Sequence, residues 1–284
     1  MTAPILRTLS DLRDSTAKWK RAGETIGVVM TMGALHDGHL SLVAAAKESC
    51  DRVIVTIFVN PKQFNAASDL DNYPRPEAED ARKLERFAVD AVYVPAVDQI
   101  YPDGFDTTVS VGKMTDVLCG VHRVGHFDGM ATVVTKLFLQ TSADKSFFGE
   151  KDFQQLQVVR RLARDLDIPV EVVGCPTIRE VDGLAMSSRN LLLSDRARVK
   201  AARLHEVMTD VAERLAQGDA FAPLQADAMD RLQKADFGEI DYFELRRCED
   251  LGLLTHATAP ARLFAAAWLA GVRLIDNIDI PVAR

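Results

Sequence analysis

Two kinds of apolar pattern alternate along the first part of the chain. Near-continuous apolar runs, IGVVMTM (26–32), RVIVTIFVN (52–60) and IPVEVVGCP (168–176), read as strands covered on both faces. Between them lie stretches with apolar residues at helical spacing. HLSLVAAAKESC places them at 40, 42, 43 and 46, and EAEDARKLERFAV, VVTKLFLQTS and FQQLQVVRRLARDL also read as helices. DAVYVP and SFFGEKD add two shorter strands, the second running into a turn. The strand–helix–strand order predicts a parallel sheet with helices on both faces. Sheets of that kind bind ligands beyond the carboxyl ends of their strands.

After about residue 190 the pattern changes. DRARVKAARLHEVMTDVAERLAQG reads as a helix ending at Gly218, and DAFAPLQADAMDRLQKA as a second. EIDYFELRR and ARLFAAAWLAGVRLIDNIDI read as strands, with a turn near Gly271. The expected division is a first α/β domain over 1–176 and a smaller α+β domain over 177–284, with the boundary near Pro176.

Composition narrows the function. The 284 residues are 48% hydrophobic and 26% charged, as in an ordinary globular protein. A formal net charge of -7 argues against a general nucleic-acid binder, but leaves room for a local basic pocket around a small anion. Cys50, Cys119, Cys175 and Cys248 are far apart with no CxxC spacing, so no zinc or disulfide framework is read, and Cys50 and Cys175 are expected as buried thiols. No secretory signal and no membrane-spanning run is read, which gives a cytoplasmic expectation with no membrane partner.

The candidate chemistry gathers at strand ends. In GALHDGHL, His36 and His39 fall at the start of a helix, where backbone N–H groups and the helix dipole favour an anion. Gly33 and Gly38 allow backbone to approach a phosphate. HxxH spacing also suits a metal, but no third ligand is evident. In FFGEKDFQQLQ, Lys151 offers a point charge to polyphosphate, while Gln154 and Gln155 suit hydroxyl or carboxylate groups. A solvated turn is the alternative for GEKD. In GLAMSSRNLLL, Ser187, Ser188 and Arg189 are able to clamp phosphate oxygens, the alternative being a capping serine and a surface arginine. Asn60 and Gln63 flank Pro61 at the end of the central strand. Tyr73, Glu79 and Asp80 are candidates to meet nucleotide or Mg2+ unless the segment is simply a capped surface helix. His122, Arg123 and His126 sit on a glycine-bounded loop.

TMGALHDGHLSL, FVNPKQF, DLDNYPR, YPDGF, FFGEKDFQQL and DGLAMSSRN together resemble the pantoate–β-alanine ligase (pantothenate synthetase) family across most of residues 25–195. The resemblance implies a Rossmann-like domain of the HxGH nucleotidylyltransferase superfamily, related to class I aminoacyl-tRNA synthetases, with a smaller C-terminal domain. It implies a cytoplasmic homodimer that uses ATP and Mg2+ to join (R)-pantoate to β-alanine through pantoyl adenylate. By position, Met32, Gly33, Ala34, Leu35, His36, Asp37, Gly38 and His39 would line the ATP site, with His39 as proton donor. Gly149, Glu150, Lys151 and Asp152 would contact the nucleotide, Lys151 at phosphate and Asp152 at the ribose. Ile178 would meet adenine, and Met186, Ser187, Ser188 and Arg189 correspond to the synthetases' mobile signature loop. His36, Lys151, Ser187, Ser188 and Arg189 join His39 in the expected catalytic set. Gln63 and Gln155 would hold pantoate, with Gln63 also near β-alanine. Asn60, Tyr73 and Arg123 match further substrate positions, and Asp80 is the expected metal residue. A nucleotidylyltransferase acting on a small phosphate-bearing substrate is the rival activity, and a non-catalytic ATP-binding module the rival class.

Overall fold

The computed structural model describes residues 3–64 and 70–281. Asp69, the first residue of the quoted DLDNYPR, lies outside the described residues. Contacts divide the chain into two compact units. One comprises Met1–Glu150 and Gln155–Pro176, the other Lys151–Gln154 and Thr177–Arg284.

The first unit is a six-stranded sheet in the order β1-β4-β3-β2-β5-β6, with every neighbouring pair parallel. Its strands are β1 (Ile5–Leu6), β2 (Ile26–Thr31), β3 (Arg52–Ile57), β4 (Ala91–Tyr93), β5 (Lys145–Gly149) and β6 (Glu171–Cys175). The helices are α1 (Leu9–Arg21), α2 (Asp37–Ser49), α3 (Glu77–Glu85), α4 (His126–Thr141) and α5 (Phe153–Asp165), with one-turn helices besides. The apolar runs of β2 and β3 are buried almost throughout, as strands covered on both faces must be. β6 is shorter than its apolar run and only half-buried, because it is the sheet edge.

From β2 the chain first adds β3 and β4 on one side, then crosses to add β5 and β6 on the other. The reversal falls between β2 and β5, where Gly27 pairs with Lys145 and Val29 with Phe147. Carrying that register forward brings Thr31 and Gly149 to the same edge. Ligand crevices in such sheets form beyond that edge.

Cys175 is buried, but Cys50 is only half-buried, which corrects the expectation of two buried thiols. Burial raises both thiol pKa values. A Cβ on Gly27 would come 2.9 Å from the Cys50 sulfur, so the glycine makes room for it.

The second unit packs α6 (Asp195–Ala216) and α7 (Phe221–Lys234) on an antiparallel sheet of β7 (Ile240–Arg247), β8 (Ala261–Leu269) and β9 (Val272–Ile280). Ala270 and Gly271 both have positive φ (49° and 79°), as a tight hairpin turn between β8 and β9 requires. Leu204, Val207 and Met208 of α6 and Leu245 and Leu263 of the sheet share one core. Lys151–Gln154, expected with the first domain, group with this unit. Arg262 lies 4.1 Å over the Phe153 ring, Phe264 is 6.0 Å from it, and the Asn277 amide donates to Lys151 O at 2.9 Å.

One buried charge organises the interior of the second unit. Asp276, on β9, accepts both Arg179 guanidinium nitrogens at 2.6 and 3.0 Å and its neighbour Asn277's N–H at 2.7 Å. His205 Nδ1 lies 3.7 Å from the same carboxylate. Burial first, and Arg179 second, hold His205 below its usual pKa of 6.5, and Asp276 only partly opposes them. A histidine whose folded pKa is depressed contributes stability that is complete above its unfolded pKa and lost as pH falls through the folded value. Urea titrations at falling pH are therefore expected to show stability declining below pH 6.5, with His205→Gln weakening that decline.

Candidate functional site

The site of the first unit starts at a corner after β2. Thr31 Oγ1 donates to Thr56 O at 2.8 Å and accepts the Gly33 N–H at 3.2 Å. Gly33 (φ 88°) and Ala34 (φ 51°) are both left-handed, a conformation that favours glycine at the first and strains the alanine at the second. The corner is held from α3. Asp80 Oδ2 accepts the Ala34 N–H and Oδ1 the Leu35 N–H, each at 2.8 Å. One turn further along α3, Lys83 donates to Leu35 O at 2.7 Å.

This geometry overturns the metal assignment of Asp80. The residue is 0% exposed and both carboxylate oxygens are engaged by backbone amides. Burial raises its pKa, and the two amide bonds work in the opposite direction. Glu79, the other acidic candidate, pairs with Lys83 at 2.7 Å on the exposed side. Among the described residues no group of three or more His, Cys, Asp or Glu is placed to hold a metal ion.

Past the corner, Leu35 is buried and α2 begins with His36 as its cap residue. The His36 and His39 rings lie 4.1 Å apart with planes tilted by 35°. The His36 N–H points at His39 Nδ1 at 3.4 Å, a long contact but a directional one. That makes Nδ1 the acceptor and leaves Nε2 as the proton-bearing nitrogen of the neutral ring.

A second cluster surrounds Gln63. The Gln63 amide donates to Met32 Sδ at 3.0 Å, and its oxygen accepts from Asn60 Nδ2 at 2.9 Å. Asn60 Nδ2 also donates to Gly129 O at 3.0 Å, and Asn60 Oδ1 accepts the Tyr101 hydroxyl at 2.7 Å. Asn60 is only 1% exposed, so the structure makes it a brace for Gln63, not the substrate ligand it was expected to be. Tyr73 lies edge-on to Phe64 at 5.6 Å. Arg123 Nη1 is 3.2 Å from His126 Nε2, whereas His122 is exposed. At the end of β5 come Gly149 and Glu150, and Gln155 lies half-buried on α5.

In the second unit, the segment containing Met186–Arg189 leaves a small hairpin. Met186 N–H donates to Ile178 O at 3.0 Å, Arg179 bridges Ala185, and Gly183 (φ 88°) turns the chain beneath His205. Ser187 Oγ accepts the Arg189 N–H at 3.2 Å, so Ser187 caps the one-turn helix Ser188–Leu192. Ser188 is half-buried and Arg189 exposed. Asn190 ties this turn back to Glu180 and Ala185 O at 2.9 and 3.1 Å. Lys151 is 3.8 Å from Asp152, which is the more exposed of the two.

A family model described as pantoate-beta-alanine ligase matches residues 4–279. The chain belongs to the pantoate–β-alanine ligase family. It is 75% identical to a pantothenate synthetase of Roseobacter denitrificans over the full length of both. It is 64% identical to that of Ruegeria pomeroyi over 99% of this chain and 98% of the relative. Among solved structures, the pantothenate synthetase of Thermus thermophilus superimposes with a TM-score of 0.92 at 41% identity, covering 98% of this chain and 99% of that one. The Francisella tularensis pantoate-beta-alanine ligase, complexed with beta-gamma ATP and beta-alanine, gives 0.83 at 32% identity, covering 98% and 97%.

Several supports of this family's site motifs escaped sequence reasoning. Asp80 and Lys83 stand 45 and 48 residues from the backbone they hold. Tyr101 lies within a quoted motif, yet nothing local marks its hydroxyl as the partner of Asn60. Asp80→Asn would turn an amide N–H2 toward a backbone N–H and is expected to destabilise the protein by about 1–3 kcal/mol. Denaturant unfolding of the variant, compared with a surface control at Glu79, measures it.

Proposed function

We propose that the chain condenses (R)-pantoate with β-alanine, consuming ATP and releasing AMP and pyrophosphate. In the first step a pantoate carboxylate oxygen attacks the α-phosphorus and the bond to pyrophosphate breaks. In the second, the β-alanine amine attacks the acyl carbon of pantoyl adenylate, AMP leaves, and the amine loses a proton. The observation that carries this reading is the His36–His39 pair at the start of α2, beyond the carboxyl end of β2. The contact from the His36 backbone N–H to His39 Nδ1 leaves His39 Nε2 as the N–H, the group needed to stabilise charge on the departing pyrophosphate. The first-turn amides of α2 add to that potential. Adenylation brings two anions together, and we assign Lys151, Ser187, Ser188 and Arg189 to screen the phosphates. Asp152 is assigned to the ribose and Ile178 to the adenine.

Gln63 supports the pantoate assignment. Its amide donates to a thioether sulfur, a weak acceptor, so a substrate hydroxyl or carboxylate oxygen would replace that bond with a stronger one. Gln155, Tyr73 and Arg123 complete the assigned acid site. Holding the amine against the anhydride contributes through proximity. The Francisella relative, complexed with beta-gamma ATP and beta-alanine, supports ATP and β-alanine as ligands here. Mg2+ belongs to this reading as a companion of the triphosphate. Asp80 does not fit as its ligand, so no step runs through a metal held by the protein. We further assign the chain to the cytoplasm as a homodimer acting on small molecules. No helix of the described residues is long and apolar enough to cross a membrane, and the charge of -7 suits neither nucleic acid nor an anionic surface.

Labelled pyrophosphate is expected to exchange into ATP when pantoate is present, without β-alanine. AMP release under turnover should require both acids. Exchange that ignores pantoate but responds to a phosphate-bearing acceptor would instead identify a different nucleotidylyltransferase, and ATP binding with no AMP release a non-catalytic module. His39→Ala is expected to lower kcat by on the order of 100-fold or more, with little change in the KM for ATP. Steady-state kinetics with ATP varied at saturating acids checks it.

A further inference from the structure

His126 has no part in the reaction as proposed, yet its ring is buried, 8% exposed, between two residues of the assigned acid site, Gln63 and Arg123. Nδ1 lies 2.9 Å from Gln63 O, and Nε2 lies 3.2 Å from Arg123 Nη1. The partners fix the ring's chemistry. A carbonyl only accepts, so Nδ1 carries a proton; a guanidinium only donates, so Nε2 accepts. Only the neutral Nδ1–H tautomer makes both bonds, since an imidazolium would aim a second N–H at the guanidinium.

The surrounding backbone shows that this contact is built in. Gly129, one turn along α4, has no room for a side chain: a Cβ there would come 2.2 Å from Lys62 O and 2.8 Å from Gln63 N. The first turn of α4 therefore lies flush against residues 62–63. Gly129 O also accepts from Asn60 Nδ2, which in turn holds the Gln63 side-chain oxygen. Gln63 is thus held from one helical turn at its carbonyl and, through Asn60, at its side chain, while Gly129 lets that turn lie close against its backbone nitrogen.

We propose that His126 is a positioning residue of the acid site. Its neutral imidazole bridges the Gln63 backbone and the Arg123 guanidinium, fixing the two as a pair for the small hydroxy acid. The proposal rests on the reading of that acid as pantoate. Binding of ATP, assigned to α2 and to the other motifs, does not depend on this bridge.

Three variants of the full chain test it. His126→Leu removes both bonds at similar volume. His126→Asn places an amide N–H near the position of Nδ1 and restores the donor to Gln63 O. His126→Gln places its amide near the position of Nε2 and lacks that donor. H126L is expected to raise the KM for pantoate by on the order of 10-fold or more, with the KM for ATP within about twofold of wild type. H126N is expected to recover most of the loss and H126Q to stay close to H126L. A folded H126L with unchanged pantoate KM, or with equal rises for both substrates, overturns the proposal. Where H126L does not fold, the contrast between H126N and H126Q decides, and equal pantoate KM values for those two overturn it. A wild-type chain that shows no pantoate-dependent exchange refutes the functional reading and this proposal with it. A wild type that does, with indistinguishable variants, refutes the role of His126 alone.

Discussion

The hydrogen bonds from the Ala34 and Leu35 amides to Asp80 hold a corner that the chain would not keep unaided. Two successive left-handed residues are unusual, and at Ala34 the conformation costs roughly 1–2 kcal/mol. Gly33 cannot be made larger without both backbone strain and contact at 3.2 Å with the Asp80 carboxylate and the Ile57 side chain. The strain persists because the carboxylate satisfies the two amides that the corner turns inward. Lys83 secures the next carbonyl, so α3 grips donors and an acceptor of the same two-residue stretch. The corner in turn decides where α2 starts. Only with His36 at the cap does its N–H meet His39 Nδ1, and only then is Nε2 the N–H of the second ring. A buried acid on another helix thus bears on the protonation pattern of a histidine at the site.

The Gln63 cluster applies the same logic with neutral groups. Asn60 has donor and acceptor engaged by Gln63, Gly129 and Tyr101, so its rotamer is fixed from three directions. Gln63 itself keeps one weak bond, to the Met32 sulfur. A rigid support carrying one easily exchanged partner suits a binding group, since the geometry is already set and only the poor contact is lost on binding.

Fold was legible in the sequence to the extent that burial is periodic. β2 and β3 announce themselves because a central parallel strand needs apolar residues on both faces. β6 shows the limit, since its apolar run is longer than the strand and an edge leaves half of it uncovered. The N-terminal β1 is too short for a run, and α1 carries only a sparse stripe, Leu9, Leu12, Thr16 and Trp19, among polar residues. At the site, residues close together in sequence were readable: the spacing of His36 and His39 follows from helix geometry alone. Asp80 was misread because a carboxylate early in an amphipathic helix looks the same whether it faces solvent, a metal or a buried amide. Asn60 was misread for a related reason, as burial converts a ligand-like amide into a brace. Lys151–Gln154 were misplaced because Phe153 continues a helical stripe locally while its ring packs beside Arg262 and Phe264, more than 100 residues away in sequence.

In the second unit the two readings of the serine–arginine segment, phosphate clamp and helix cap, meet at Ser187. Ser187 is a cap, since its oxygen takes the Arg189 N–H. A hydroxyl that accepts still has its own proton to donate, so capping does not remove Ser187 from a phosphate site; it fixes where that proton starts. Upstream, the Asp276–Arg179 pair, Asn190 on Glu180, and Arg198 on Glu180 and Asp182 anchor the hairpin from which the segment emerges. Ordering backbone costs roughly 1–2 kcal/mol per residue, so an anchored root confines that cost to the few residues at the tip. Arg189 stands at that tip with its side chain exposed, while its backbone N–H is taken by Ser187 and the next residue, Asn190, is bonded to Glu180 and Ala185 O. A guanidinium presented in this way is able to engage an anion without the hairpin beneath it refolding.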